Sequence, residues 1–334
     1  MKVMRYGKVV GSVSLLMGSL LVGVLGTSGS VAGSEYPNRA VTVVVPYPAG
    51  GVTDLAARAL AEGMEKHLKQ PVVVLNKVGG NTTIGGYAVA SAKPDGYTLG
   101  YFPPAASIPE AFAYFQDAPY SSKDIKPIGG VSTPVQVVAV KEDAPWNSLK
   151  ELVEYARKNP GLKVSTGGKQ TVPHMFLTTL NKLEKTGFVG VPFSGDSTNL
   201  PALLGGHVSV GILEYSMLKP LVDAKKVKVF AVVTTDKRVD FAPTVPTGAE
   251  LGYPGVFIPI IGLVGPRGLP EEIVEKLDSV VGKIVTEPDF QTKMRNMTLQ
   301  INYQNSPNYE RSLARFKDNI LAFFKEEGLV KQSK

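Results

Sequence analysis

Cysteine is absent from the 334-residue sequence, histidine occurs three times and tryptophan once. The lack of cysteine excludes a disulfide framework and a lipid anchor attached through a cysteine. The histidines, His67, His174 and His207, form no close pair, so the ligand spacing of a common metal site is missing. We therefore expect no catalytic metal and no cofactor.

Long apolar runs are missing after the first 25 residues. Residues 9–25 are apolar, follow three basic residues and precede the small residues at 30–32. This order is typical of an export signal. A membrane anchor is the alternative, because about 17 apolar residues can span a bilayer, although glycine and serine dilute this run. We expect residues 1–32 to be a signal peptide cleaved near Ala32, and the mature protein to be soluble and periplasmic.

Charge is sparse and dispersed. The chain has 36 Lys and Arg against 29 Asp and Glu, a formal charge of +7. Residues 1–32 hold three of the basic residues and none of the acidic ones, which leaves +4 for the mature chain. The sequence lacks the dense basic run of a nucleic-acid-binding protein, so we expect no nucleic-acid partner.

Length and pattern indicate two α/β domains. A mature chain of about 300 residues exceeds the roughly 250 at which single cores tend to divide. Apolar, β-branched runs alternate with amphipathic stretches, which is typical of βαβ units around mainly parallel sheets. We expect domain 1 to contain residues 33–137 and 251–334, including the carboxyl-terminal helices, and domain 2 to contain residues 138–250. Two crossings between the domains predict a hinge.

The predicted elements follow from apolar periodicity and turn residues. The predicted strands are residues 41–45, 71–75, 97–101, 135–140, 163–165, 188–191, 208–213, 227–233 and 258–264. The predicted helices are one that begins at Thr53 or Asp54, one that ends near Ala92, and those at residues 148–158, 173–182, 197–204, 270–285 and 308–327.

The most informative segment is the loop at residues 46–54, between the first strand and the first helix. Its adjacent glycines, Gly50 and Gly51, let a ligand approach the backbone closely. The free amides of a first helical turn attract an anion. We expect a ligand carboxylate at the amides of residues 49–51. Asp54 is expected to cap the helix through its side chain, and contact with a ligand ammonium is the alternative.

A second loop of this kind, residues 165–174, joins another strand to a helix. Its hydroxyls and amides could bind the other end of a ligand. The run at residues 167–169 lacks the upstream glycine and the following Ser or Thr of a P-loop, so nucleotide binding is rejected. For His174 a hydrogen bond to backbone is favoured over ligand contact.

A third polar turn, residues 193–199, precedes a helix. It contains Gly195, Asp196 and Ser197, which match the nucleophile triplet of one esterase class. A serine hydrolase also needs a histidine base and its acidic partner, and none of the three histidines follows an Asp at the required spacing. Hydrolysis is therefore a weak alternative.

Taken in order, these segments resemble the substrate-binding proteins of tripartite tricarboxylate transporters, the Bug-type family of extracytoplasmic solute receptors. The resemblance covers nearly the whole mature chain, from Tyr36 to the last helix. Singly its marks are weak, but their order is specific. They are the segments at residues 36–40, 46–54, 57–58, 71–76, 84–85, 94–99, 203–208 and 266–270.

This resemblance implies a two-domain periplasmic-binding-protein fold of the Venus-flytrap, type II-like kind with two crossover strands. It implies a monomeric binding protein, not an enzyme, that holds a carboxylated ligand and docks on the permease subunits of the transporter. The family's ligand contacts fall on Tyr47, Pro48, Ala49, Gly50, Gly51, Thr166, Gly168, Thr171, Ser194, Gly195, Asp196, Ser197, Thr198 and Asn199.

Two departures from the family bear on the ligand. Gln170 stands where the family usually has glycine, and Asp196 adds a negative charge to a loop expected to face the ligand. An inward-facing Asp196 would disfavour a second ligand carboxylate and favour an amine or a hydroxyl. We predict capture of a di- or tricarboxylate, an aromatic acid or an amino acid for transport. The alternatives are a ligand sensor of a two-component system and, less favoured, a hydrolase that uses Ser197.

Overall fold

The computed structural model describes residues 36–193, 196–235, 237–253 and 257–329, without the side chains of Asp196 and Ser197. The predicted signal peptide, Ser194 and Gly195 lie outside the described residues. The strands are β1 (Val41–Val45), β2 (Val72–Asn76), β3 (Thr98–Phe102), β4 (Ile125–Pro134), β5 (Gln136–Lys141), β6 (Lys163–Thr166), β7 (Val189–Pro192), β8 (Val210–Glu214), β9 (Val227–Val232), β10 (Ile261–Pro266) and β11 (Leu299–Asn305).

The α-helices complete the element order. They are α1 (Val52–Leu68), α2 (Thr83–Ala90), α3 (Pro104–Ser107), α4 (Leu149–Lys158), α5 (Val172–Glu184), α6 (Asp196–Leu204), α7 (Tyr215–Asp223), α8 (Glu271–Ile284), α9 (Pro288–Asn296) and α10 (Ser306–Glu326).

The larger sheet has the order β11-β4-β10-β3-β1-β2. Strands β2, β1 and β3 are parallel, whereas β10 runs antiparallel to both β3 and β4. Successive side chains of β1 point to opposite faces of the sheet, and helices cover both faces. Val41, Val43 and Val45 pack with α1, α8 and α9, and Val44 packs on the other face with α2, α3 and α10. The sheet with its helices is called the large lobe.

The smaller sheet has the order β7-β6-β8-β5-β9, with β7, β6 and β8 parallel. Side chains of β5 also alternate between two hydrophobic cores, one on each face of the sheet. Val138 and Val140 pack with α4 and α5, and Val137 and Ala139 pack with α6 and α7. This sheet with its helices is called the small lobe.

The chain passes between the lobes twice. The first crossing lies at Val135, between β4 and β5, and the second lies between β9 and β10. The two α/β units and the two crossings predicted from the sequence are therefore confirmed. The domain limits at residues 137 and 250 stay a prediction.

The lobes also touch through α5 and α10. Met175 of α5 is fully buried in the core cluster that contains Phe323 of α10. In the last turn of α5, Lys182 forms an ion pair with Glu326 at 2.7 Å. Within the ranges described, no helix is long and apolar enough to cross a membrane.

Candidate functional site

The predicted loops follow the carboxyl ends of parallel strands, where α/β sheets bind ligands. The β1–α1 loop follows β1 in the large lobe, and the β6–α5 loop follows β6 in the small lobe. Strand β8, parallel to β6, ends at Glu214 in the same row. We call the space between these ends the cleft.

Asp54 holds the β1–α1 loop in shape. Its Oδ2 accepts hydrogen bonds from the backbone N–H of Gly50 at 2.8 Å and from Nε of Arg58 at 2.9 Å. Its Oδ1 accepts from Nδ2 of Asn76 at 2.9 Å, and this same nitrogen also donates to the carbonyl oxygen of Tyr47 at 2.9 Å. Since Gly50 has φ +82, the loop turns through the left-handed region that glycine adopts without strain.

The predicted cap is wrong. Helix α1 begins at Val52 and its cap is Gly51, so Asp54 lies inside the first turn. It is 1% exposed and is surrounded by donors of the chain itself. Burial raises the pKa of the Asp54 carboxyl, but the hydrogen bonds from Arg58, Gly50 and Asn76 outweigh this, so the pKa lies below its usual value. Asp54 is therefore ionised at neutral pH and shapes the loop.

This arrangement narrows the predicted anion site. The N–H of Gly50 already donates to Asp54, so it is no longer a free donor for a ligand carboxylate. The first-turn amides of α1, at Val52 and Thr53, have no acceptor within the helix. Pro48, Ala49 and Gly51 are exposed beside them. An anion here would bind to the start of α1 and the positive end of its dipole.

Tyr47 connects the two lobes electrostatically. Burial and, in second place, the negative charge of Glu214 raise the pKa of Tyr47 to about 12. Tyr47 therefore keeps its proton at neutral pH. Glu214 ends β8 in the small lobe, so its charge acts on a side chain of the large lobe.

The β6–α5 loop uses its hydroxyl protons internally. Thr166 is buried, and its hydroxyl donates to the carbonyl oxygen of Gly167 at 3.0 Å. The hydroxyl of Thr171 donates to the carbonyl oxygen of Gly168 at 2.7 Å. The two hydroxyl oxygens thus keep lone pairs for accepting hydrogen bonds. These two hydroxyls were predicted to bind a ligand. We now expect them to do so only as hydrogen-bond acceptors.

His174, in the first turn of α5, is half-buried. Burial lowers the pKa of its imidazole and Lys169 adds to this, although Glu327 opposes it. Nε2 of His174 lies 3.5 Å from the hydroxyl of Thr178. The ring is thus neutral at neutral pH and next to a side chain of its own helix.

The third predicted turn is only partly described. Thr198 is exposed on α6, whereas Asn199 is 1% exposed. Nδ2 of Asn199 donates to the carbonyl oxygen of Ile212 in β8 at 3.4 Å. Its Oδ1 is buried and has no hydrogen-bond partner among the described residues. Asn199 thus joins α6 to the end of β8.

Two residues of the cleft were missed from the sequence, Glu214 and Gln136. They lie directly opposite each other in the antiparallel ladder of β8 and β5. Glu214 could have been found, because it sits between a predicted strand and the polar start of a helix, as the other loops do. Gln136 reaches the cleft only because β5 runs antiparallel to β8, which the local sequence does not encode.

A cavity of about 450 Å³ lies elsewhere, between β11, α10 and the second crossing. Its charged lining residues are Lys237 and Arg315. Its lining, so far as the described residues go, includes none of the predicted ligand contacts, so it is distinct from the cleft. Across the same described ranges, no cluster of three or more His, Asp or Glu residues could hold a metal ion.

The comparisons with known proteins decide the family. The sequence model of the tripartite tricarboxylate transporter family receptor, TctC, matches residues 56–329. The chain belongs to this receptor family. The predicted resemblance and the two-domain α/β fold are therefore confirmed.

Individual relatives agree with this assignment over most of their length. The receptor is 30% identical to a Cupriavidus necator protein named for the gbd 5' region, over 93% of this chain and 94% of that one. It is similar to a ligand-free TctC solute binding protein from Polaromonas, with a TM-score of 0.76 and 28% identity over 87% of this chain and 99% of that chain. It is also similar to MatC of Rhodopseudomonas palustris with bound malate, with a TM-score of 0.62 and 30% identity over 89% of this chain and all of the other.

Proposed function

We propose that this receptor binds a small carboxylate in the cleft and delivers it to the permease subunits of a tripartite tricarboxylate transporter. The observation that carries the proposal is the start of α1. There Asp54 fixes a loop whose exposed end presents free first-turn amides. The charge of Glu214 acts on Tyr47 from the other lobe. Capture of malate by the relative MatC supports a carboxylate as ligand.

The proposal also covers the export, the domain limits and the partner of the receptor. Residues 1–32 act as the export signal, and the mature receptor works in the periplasm as a monomer. The domain limits are 33–137, 138–250 and 251–334. The partner is the membrane permease, and no nucleic acid is involved.

Closure about the two crossings is the proposed mechanism. A ligand that touches both lobes stabilises the closed form by the difference between its affinities for the closed and open forms. The carboxylate binds at α1, and the rest of the ligand contacts the β6–α5 loop and the end of β8. Ordered water can complete such contacts, which lets one fold accept several acids.

The test is a thermal-shift screen of the mature chain against dicarboxylates, tricarboxylates, aromatic acids and amino acids. A ligand present at 100 times its Kd stabilises the folded state by about 2.7 kcal/mol. For a mature chain of about 300 residues that corresponds to a shift in Tm of roughly 4 °C. If no acid in the panel raises the Tm, the proposal fails.

A matched pair of variants locates the site. Gly51 has φ −73, and an added Cβ would meet only the carbonyl oxygen of Pro48, at an ordinary 3.5 Å. Gly51→Trp should therefore fold and block the start of α1. Lys158→Trp is the control, on the last turn of α4 that leads into the far end of β6. Loss of the ligand-induced shift in Gly51→Trp alone is expected, and equal binding by both variants would place the anion site elsewhere.

A further inference from the structure

The cavity of about 450 Å³ beside α10 is formed by the large lobe together with the second crossing. Strand β11 and helix α10 supply one part of its wall, and the second crossing supplies Thr235, Lys237, Ile258 and Ile260. We call it the crossing cavity. Its volume lies within the range of about 300–1,000 Å³ that is usual for small-molecule sites. A molecule bound there would contact the large lobe and the second crossing at once.

An irregularity of β11 shapes the crossing cavity. This strand lies at the edge of the larger sheet. Between the pairs Ile301–Ser132 and Gln304–Gly130, β11 advances by three residues while β4 advances by two. The extra residue makes a β-bulge, which bends a strand and redirects its side chains. All five residues from 300 to 304 line the cavity, whereas a regular strand would present only alternate residues to one side.

Two cations line the crossing cavity, Lys237 and Arg315, and its other described lining residues are uncharged. Neither cationic side chain has an ion pair or a hydrogen bond with any residue that the structure describes. Arg238 and Lys317, close to them in sequence, each pair with a carboxylate, at 3.0 Å and 3.4 Å. Like charges beside one cavity repel each other, and an anion that binds both removes this repulsion.

The neutral part of the lining suits an oxyanion. Nε2 of Gln300 donates to the carbonyl oxygen of Ile301 at 3.3 Å, and Nδ2 of Asn302 donates to the hydroxyl of Thr133 at 3.2 Å. A primary amide carries two N–H groups, so each side chain keeps a second donor, and its oxygen accepts from hydroxyls. Arginine binds a carboxylate or a phosphate through two parallel hydrogen bonds, and lysine adds a point charge.

We infer that the crossing cavity is a second anion site, which binds inorganic phosphate or a hydroxylated carboxylate through Lys237 and Arg315. The site is separate from the cleft, so this inference does not depend on the proposed function. Its two cations come from the second crossing and from α10. A bound anion therefore stabilises the arrangement of the lobes in which both cations face the cavity.

The test is calorimetric titration of the mature chain with the Gly51→Trp substitution, which blocks the start of α1. The probes are inorganic phosphate, citrate, which has three carboxylates and a hydroxyl, and the neutral polyol glycerol, in about 0.15 M sodium chloride. At least one anion should bind with a Kd below about 1 mM, and glycerol should not bind. Binding of phosphate alone or of citrate alone identifies the class of anion. If neither anion binds below about 1 mM, the inference is wrong.

Variants in the same background assign the binding to the crossing cavity. Arg315→Gln and Lys237→Gln should each raise the Kd at least tenfold, because each removes a charged donor. Both side chains are exposed and lack a described partner, so both variants should fold, which an unchanged Tm without anion verifies. If either folded variant binds the anion as tightly as the background protein, the assignment is overturned.

Lys325→Gln is the matched control for charge. It removes an exposed cation from the last turn of the same helix, about 15 Å along the axis from Arg315. This separation exceeds the screening length of about 8 Å at the salt concentration of the titration. The Kd should therefore change less than twofold. A loss of binding as large as that of Arg315→Gln would mean that the anion responds to the overall charge of the protein, which would also overturn the inference.

Discussion

The hydroxyl of Thr234 donates a hydrogen bond to the carbonyl oxygen of Pro134 at 2.7 Å. The oxygen of this hydroxyl accepts a hydrogen bond from the backbone N–H of Gln136 at 3.0 Å, and Thr234 is fully buried. A single side chain of the second crossing therefore holds both ends of the first crossing. The two connections between the lobes are tied together and should bend as one hinge.

Replacing Thr234 by valine tests this tie. Valine keeps the shape but leaves the carbonyl of Pro134 and the N–H of Gln136 buried without a partner, so the free energy of unfolding should fall by about 1–3 kcal/mol. Urea unfolding measures the change. The control Thr292→Val removes an exposed hydroxyl that bonds within its own helix, and should change stability by no more than about 0.5 kcal/mol. If both variants lose the same free energy of unfolding, the two hydrogen bonds of Thr234 do not stabilise the protein.

The two glycines of the β1–α1 loop should respond differently to alanine. Gly50 has φ +82, where an L-residue is strained by about 1–2 kcal/mol. Gly51 is extended, with φ −73 and ψ 163, so Gly51→Ala should leave stability unchanged within about 0.5 kcal/mol. Chemical denaturation of both variants measures the difference. A Gly50→Ala protein as stable as the wild type would contradict a left-handed backbone at Gly50.

The sequence reveals some of these features and hides others, for physical reasons. The β1–α1 loop is visible because a valine-rich strand stops at proline and two glycines follow. The role of Asp54 is hidden, because its partner Asn76 comes from another strand and a cap depends on backbone angles. Strand β4 is hidden for a different reason: it contains Pro127, Gly129 and Gly130, residues that disfavour strands.

Close packing explains the glycines in and beside β4. A Cβ at Gly262, in the neighbouring strand β10, would lie 2.4 Å from the carbonyl oxygen of Gly129. A Cβ at Gly130 would lie 3.0 Å from the side chain of Ile260. The demand for small residues thus comes from tertiary contacts that no local pattern shows. The same holds in the cleft, where Gln136 becomes a neighbour of Glu214 only through strand pairing.

The pKa of Asp54 predicts how stability depends on pH. Its folded pKa lies below the unfolded value of about 3.9, so the unfolded chain takes up this proton first as the pH falls. The stabilisation by Asp54 is therefore complete above about pH 5 and is lost as the pH falls through the folded pKa. Asp54→Asn should lose about 1–3 kcal/mol at pH 7, a modest figure because the side chain of Arg58 is 48% exposed.

The measurement is urea unfolding of both proteins between pH 7 and pH 2. The gap between wild type and Asp54→Asn should narrow steadily in acid. Asp143→Asn removes an exposed carboxylate whose side chain is 76% accessible and which pairs with Lys141 at 3.3 Å, and it serves as the control with no more than about 0.5 kcal/mol of effect. A gap that stays constant down to pH 2 would mean that Asp54 titrates alike in both states.

The contact between α5 and α10 predicts how the lobes unfold. Met175 belongs to the small lobe by sequence but is fully buried in the core cluster of the large lobe, with Phe257 and Phe323. Met175→Ala should cost about 2–5 kcal/mol, because it leaves a cavity between the lobes. Lys182→Ala removes the exposed ion pair with Glu326 from the same helix and should cost less than about 1 kcal/mol.

The single tryptophan of the chain distinguishes a joint unfolding from a separate one. Trp146 packs in the core of the small lobe, so its fluorescence follows that lobe alone, whereas far-UV circular dichroism follows both lobes. In the wild type the two signals should change together. In Met175→Ala they should separate, since the α5 side chain that is fully buried in the core of the large lobe is gone, whereas in Lys182→Ala they should still coincide. Coincident transitions in Met175→Ala would mean that the remaining contacts between the lobes, the tie at Thr234 among them, are enough to couple the lobes.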